Sequence, residues 1–237
     1  MLTVDRLAGI LEHTVLRPDS TAALLKDACA LVTSWNIPTL SVRSCDVADA
    51  VRLLKGSGVR VSSAVDFPHG SCDSSVKLAE AQKAIDDGAA ELTTVVNVGR
   101  LLSDRFDCVE QDCRALVMTA YRRGVPVKLI LETCFLNARY RRAACEIAER
   151  TGIAQVVTST GYATAGASPA DIAELRGYLP DKIRIAACGG VRTLEQAVSL
   201  YAAGADRVCT GNSAHILAEA AALQRDGKAL ESVSAAV

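Results

Sequence analysis

A repeated punctuation runs through this chain: an amphipathic stretch, a Gly, one or two small residues, then a short β-rich run. It occurs as Gly88-Ala89, Gly152-Ile153-Ala154 and Gly204-Ala205. A Gly in that position can supply the left-handed cap of a helix, and the run after it reads as a strand. Strands are expected at Thr39–Val42, Val59–Val65, Glu91–Asn97, Val127–Glu132, Gln155–Thr158, Ile183–Ala187 and Arg207–Cys209, with a weaker one at Leu11–Leu16. Helical patterns lie between them, as at Ser75–Asp87, Arg139–Arg150 and Leu194–Ala203. Such repeats imply right-handed βα units feeding a parallel sheet. Eight units close into a barrel, whereas five or six leave an open doubly wound sheet. No G-x-G-x-x-G follows the first strand to favour a dinucleotide-binding version. The expectation is an α/β chain folded as a single (β/α)8 TIM barrel over residues 1–237.

Composition fits that reading and narrows the partners. Half of the 237 residues are hydrophobic and only 4% aromatic, which favours aliphatic packing of helices on a sheet. With 26 basic and 27 acidic side chains there is no basic footprint for nucleic acid and none for a membrane surface, so a small molecule is the expected partner. No apolar run reaches the roughly 20 residues that span a bilayer. The start, Met1-Leu2-Thr3-Val4-Asp5-Arg6, does not read as a signal peptide. Nine cysteines, several in apolar runs, are expected as reduced thiols of a cytoplasmic protein, and their spacing does not suggest zinc. No metal or other cofactor is expected, and a homodimer is the default assembly.

Barrel chemistry sits at the C-terminal ends of the strands. Those positions carry Glu12-His13-Thr14, Ser41 and Arg43, Asp66-Phe67-Pro68-His69-Gly70, Thr93 and Asn97, Lys128 and Glu132, Thr158-Ser159-Thr160-Gly161, Gly189-Gly190-Val191-Arg192, and Thr210-Gly211-Asn212-Ser213. Gly189-Gly190 and Gly211-Asn212-Ser213 each precede a helix. Glycines admit close backbone approach, and free N–H groups at helix starts attract a phosphate or carboxylate, so an anion site is expected there. Lys128 shares a strand face with Ile130 and Glu132. It is either paired, with Glu132 or Asp66, or it acts as a nucleophile or charge stabiliser. Arg43 either holds a substrate anion or bridges to Glu12 or Asp66. Asp66 caps its loop or lines the site. His13 reads as structural, His69 as the better acid/base candidate.

Glu12-His13-Thr14-Val15-Leu16-Arg17-Pro18 resembles the opening of deoxyribose-phosphate aldolases, as does Asp66-Phe67-Pro68-His69-Gly70. So do Val127–Thr133, Thr158-Ser159-Thr160-Gly161 and Gly189-Gly190-Val191-Arg192-Thr193, in family order across nearly the whole chain. The resemblance implies a (β/α)8 barrel and carbonyl chemistry through a strand-six lysine, which forms a Schiff base. In this chain Val157 stands at the lysine's place. Ala186 takes that of a second lysine on strand seven, and Thr93 that of a proton-relaying aspartate. Glu12 replaces the usual Asp, and Gly211-Asn212 stands where the family has serines.

Valine cannot form an iminium, so the family's usual retro-aldol route is closed at that position. Three functions are then expected in competition. The first is an aldolase- or lyase-like enzyme acting on a small anionic carbonyl compound, using Lys128, with Asp66, His69 or Glu132 moving protons. Glu12, Thr14, Arg43, Thr93, Ser159, Thr160, Gly189, Gly190, Arg192, Gly211 and Asn212 would bind the substrate. The second is a cyclase, dehydratase or isomerase of a specialised pathway, working by acid/base groups. The third is a non-catalytic paralogue that binds a sugar phosphate or a partner protein.

Overall fold

A computed structural model describes residues 2–235; residues 1, 236 and 237 of the expected span lie outside the described ones. Eight parallel strands close in sequence order: β1 (Leu11–Val15), β2 (Thr39–Val42), β3 (Arg60–Val65), β4 (Glu91–Val95), β5 (Val127–Ile130), β6 (Gln155–Val157), β7 (Arg184–Cys188) and β8 (Arg207–Thr210), with β8 returning to β1. The chain enters through α1 (Val4–Ile10). The crossovers then carry α2 (Ala22–Ser34), α3 (Val47–Leu53), α4 (Ser74–Asp86), α5 (Val98–Leu102), α6 (Phe106–Tyr121), α7 (Ala138–Thr151), α8 (Pro169–Tyr178), α9 (Leu194–Ala202) and α10 (Ser213–Arg225). The expected (β/α)8 barrel is the fold, and all eight expected strands are present. Several end earlier than the apolar pattern does, because the mouth loops begin there. β4 stops at Val95 rather than Asn97, and Asn97 instead caps α5 by accepting from the Arg100 amide. Gly88, Gly152 and Gly204 all have positive φ, as their capping role requires.

Strand alternation separates two interiors. The outward faces carry Leu40, Val61, Leu92, Leu129, Val156, Ile185 and Val208, which join the helices in one large aliphatic core. Each such side chain contributes about 1.5–3 kcal/mol by its burial. The inward faces form tiers of four from alternate strands, as barrel stagger demands. From the bottom, the strand pairings give Thr39, Glu91, Gln155 and Arg207, then Glu12, Ser62, Lys128 and Ala186. Above these come Ser41, Thr93, Val157 and Cys209, and nearest the mouth Thr14, Ala64, Ile130 and Cys188. The barrel is therefore charged at its base and apolar towards its mouth.

Candidate active site

The charged base is a closed network. Lys128 Nζ lies 2.8 Å from Glu12 Oε1, 2.9 Å from Glu12 Oε2 and 2.8 Å from Glu91 Oε2. Arg207 Nη1 reaches the same two acids at 2.9 and 3.1 Å, and Ser41 Oγ donates to Glu12 Oε1 at 2.5 Å. Two buried carboxylates meet two buried cations, with the half-exposed Arg60 reaching Glu91 at 3.1 Å from below, and such pairing is how buried charge is tolerated. Burial alone would raise the Glu12 carboxyl, but Lys128 and Arg207 outweigh it and hold its pKa at about 2. Burial likewise works to lower the Lys128 amine, and Glu12 and Glu91 overcome it and push the pKa above its ordinary value. Lys128 is thus a protonated ammonium with its hydrogen atoms committed to carboxylates.

That geometry corrects two expectations. The partners of Lys128 are Glu12 and Glu91, not Glu132 or Asp66. Nor is Lys128 placed as a nucleophile at the mouth: its side chain is 3% exposed, and the tiers above it contain Val157, Cys209 and Ile130. Together with Val95 and Ala186 these three form an apolar plug, with Phe67 and Cys188 packed against it. Of the seven lysines, Lys26, Lys55, Lys83, Lys182 and Lys228 are exposed on the outer surface and Lys77 is buried elsewhere. Glu12, expected to bind substrate, belongs to this network as well. Thr93 faces inward and shares a hydrogen bond with Ser62, Oγ to Oγ1 at 3.1 Å.

Asp66 and Arg43 are also turned to structural work. Asp66 has φ 53, which takes the chain out of the strand at the end of β3. Its carboxylate meets Lys77 at 3.2 Å and accepts from the Cys72 amide at 3.1 Å, while Lys77 also pairs with Asp112 at 2.6 Å. This buried triad fastens the β3–α4 loop to α4 and α6. Arg43 pairs with Asp46 at 2.6 Å and donates to the carbonyls of Arg17, Pro18 and Ser20. It ties two mouth loops together, with neither Glu12 nor Asp66 as its partner.

The mouth also carries a polar rim, and two of its cavities share Thr160 and Tyr162. One, of about 200 Å³, is lined by Pro68, His69, Val95, Glu132, Phe135, Thr160 and Tyr162. Glu132 is buried in a left-handed backbone conformation, φ 56 and ψ 63, which costs a non-Gly residue on the order of 1 kcal/mol. It is held there because its carboxylate accepts from both the amide and the hydroxyl of Thr160. His69 is exposed on the facing loop. His13, by contrast, is buried, shares a hydrogen bond with Ser213 Oγ at 3.0 Å, and is neutral, burial having lowered its pKa to about 4.

The second cavity, about 260 Å³, brings the expected anion loops together. Thr14, Arg17, Thr160, Gly161, Gly189, Gly190, Arg192, Gly211 and Asn212 line it. Any side chain at Gly189 would be strained: at φ 96, an added Cβ would lie 3.0 Å from Gly166 Cα and 3.2 Å from Ser159 Cβ. Ser159 is fully buried just behind, and its hydroxyl has no partner among the described residues. Asn212 precedes the first turn of α10. Arg192 and Arg17 bring positive charge, both exposed, and Arg17 is held in a two-pronged pair with Asp19 at 2.9 Å.

Sequence reasoning placed Arg17 and Tyr162 at strand ends without giving them a role, and passed over Glu91 and Arg207. The last two carried a usable signal, since a charge inside a short strand of a closed barrel must find a partner. For Tyr162 only the position at a strand end was readable, since its contacts follow from the folded loop, where its hydroxyl donates to the Leu16 carbonyl at 3.0 Å and its ring meets Phe67 edge-on. Among the described residues no group of three or more His, Cys, Asp or Glu is arranged to hold a metal ion. No helix described is long and apolar enough to cross a membrane.

No family model matches the chain. Curated relatives do. It is 37% identical over 216 residues to deoxyribose-phosphate aldolase of Bacteroides thetaiotaomicron, covering 91% of each chain. Its identity to deoxyribose-phosphate aldolase of Thermococcus gammatolerans is 35% over 213 residues, covering 89% of this chain and 95% of the relative. Among solved structures, the deoxyribose phosphate aldolase of Aeropyrum pernix, described as a tetramer, superposes with a TM-score of 0.88 at 27% identity over 93% of both chains.

Proposed function

Since this chain belongs to the deoxyribose-phosphate aldolase family, we propose that it is a lyase-type enzyme that acts on a small phosphorylated or carboxylated carbonyl compound without a lysine iminium. The observation that carries this reading is the amine-free mouth. Aliphatic Val157 and Ala186 belong to the plug beneath it, and Lys128 is committed to carboxylates below. Glycine-containing loops, two arginines and a buried carboxylate nevertheless line the rim. The Gly189-Gly190 and Gly211-Asn212 backbone, with Arg17 and Arg192, would hold the anionic group. Glu132, oriented by Thr160, would take a proton from the carbon beside the carbonyl, and His69 would return one. Tyr162, between the two cavities, would shield the reacting carbon from water.

The same proton transfer serves enolisation and dehydration, so the isomerase or dehydratase alternative uses the same residues. Lyase chemistry is preferred because the relatives carry the aldolase name. Homo-oligomeric assembly and a cytoplasmic site of action belong to the same reading. So does the absence of a metal or organic cofactor. The apolar plug supports a second reading, a paralogue that binds a sugar phosphate and turns nothing over.

Exchange of the substrate's α-hydrogen with deuterated water, followed by NMR over phosphorylated and carboxylated aldehydes and ketones, tests the proposal. Glu132→Gln is expected to slow exchange by at least about 100-fold while leaving stabilisation by phosphate esters intact. Full exchange in that variant would refute the role of Glu132. Stabilisation by phosphate esters without exchange of any of them would establish the binding paralogue instead.

A further inference from the structure

Cys188 and Cys209 are directly paired residues on β7 and β8. Both line the cavity of the anion loops, and both belong to the plug side of the barrel interior. Their exposure differs. Cys209 is 5% exposed among Val95, Ile130, Val157 and Ala186, whereas Cys188 is half-buried and open to the cavity. Strands in a sheet lie roughly 5 Å apart, within the roughly 4.4–6.8 Å between Cα atoms that a disulfide bridges. An accessible thiol beside a buried second thiol is the arrangement of an oxidation site with its own resolving partner.

We propose that Cys188 and Cys209 form a dithiol oxidation site that takes small hydroperoxides and closes to a disulfide between β7 and β8. In the first step the Cys188 thiolate attacks the O–O bond of the peroxide. An S–O bond forms and the O–O bond breaks, giving the Cys188 sulfenic acid. The leaving oxygen takes up a proton and departs as water from hydrogen peroxide or as an alcohol from an organic hydroperoxide, the sulfur being oxidised by two electrons and the peroxide reduced by two. In the second step Cys209 attacks that sulfur. The S–S bond forms, the S–O bond breaks, and the hydroxide leaves as water with the proton from Cys209. The hydrogen bond to Cys188, with burial second, pushes the Cys209 thiol well above its ordinary pKa. Cys188, open to the cavity, is the first to react, and the buried Cys209 is the later, resolving thiol. The link joins the strands that lead directly into the two anion loops, Gly189-Gly190 and Gly211-Asn212. None of this depends on the acid–base chemistry proposed for Glu132.

The test uses the full chain, freshly reduced, given one equivalent of hydrogen peroxide, alkylated and mapped by mass spectrometry. The expected product is a peptide pair joined through Cys188 and Cys209 and separated by dithiothreitol. In Cys209→Ser, dimedone should instead label a persistent Cys188 sulfenic acid. The exposed thiols Cys45 and Cys72 are internal references. The proposal is overturned if Cys188 and Cys209 both remain alkylatable after a dose that oxidises Cys45 or Cys72. It is equally overturned if either forms its disulfide with a different cysteine. The wild-type map decides the matter even if the variant fails to fold.

Discussion

Replacing Lys128 by Met separates a structural ammonium from a catalytic amine. The substitution keeps the stem's volume but removes the cation that stands within 2.8–2.9 Å of Glu12 and Glu91. Arg207 would then face two buried carboxylates alone, apart from Arg60, whose half-exposed guanidinium lies 3.1 Å from Glu91. Removing one partner from a buried ion pair typically costs about 3–5 kcal/mol, because the charge left behind stays desolvated. For a domain of this size each kcal/mol moves the melting temperature by about 2–4 °C. Lys128→Met should therefore melt roughly 6–20 °C below the parent, measured by circular dichroism at neutral pH. Adding Glu12→Gln should recover part of the loss, since the buried carboxylate left without its ammonium goes with it. A Lys128→Met protein that melts within roughly 2 °C of the parent would refute the network argument. Loss of turnover in such a protein would return Lys128 to the chemistry.

Other consequences follow from the same geometry. Burial depresses His13 from 6.5 to about 4, so its contribution is complete above pH 6.5 and drains as pH falls towards 4. Glu12, lowered from 4.5 to about 2, adds a second loss between those values. Each is on the order of 3 kcal/mol, so thermal stability should fall steadily below pH 6.5, and His13→Asn should flatten the upper part of the decline. Gly189→Ala, which forces a Cβ against Gly166 and Ser159, should cost about 1–3 kcal/mol and abolish the thermal shift produced by inorganic phosphate. An unchanged phosphate response would remove that loop from the anion site. Installing the missing groups as Val157→Lys with Ala186→Lys and Thr93→Asp should create borohydride-trappable amine at the mouth. Failure to trap in a folded triple variant would show that position 157 does not face the substrate.

Much of the fold was legible because its signals are local. Gly88, Gly152 and Gly204 announce helix ends wherever they stand, and a run such as Val127-Lys128-Leu129-Ile130 shows its two faces without any partner. Which charges pair was not legible, since Lys128 meets Glu12 across 116 positions of sequence. Choosing among Glu12, Asp66, Glu91 and Glu132 requires knowing the barrel's stagger. Asp66 and Glu132 sit at the ends of β3 and β5 in left-handed backbone, where strand alternation no longer tells which way a side chain turns. One goes to Lys77, the other into the mouth. The turns at Gly189-Gly190 and Gly211-Asn212 were readable as mouth loops because each stands between a strand and a helix. Tyr162 became visible as the divider between cavities only in three dimensions.

Reductive trapping bears most directly on the loss of iminium chemistry. The chain is incubated with a small aldehyde and with a phosphorylated aldehyde in the presence of borohydride, then digested and mapped. With only exposed lysines and the carboxylate-bound Lys77 and Lys128 available, the mouth should yield no reduced adduct, and surface labelling should ignore added phosphate ester. A stoichiometric adduct on Lys128 that a phosphate ester suppresses would contradict the account.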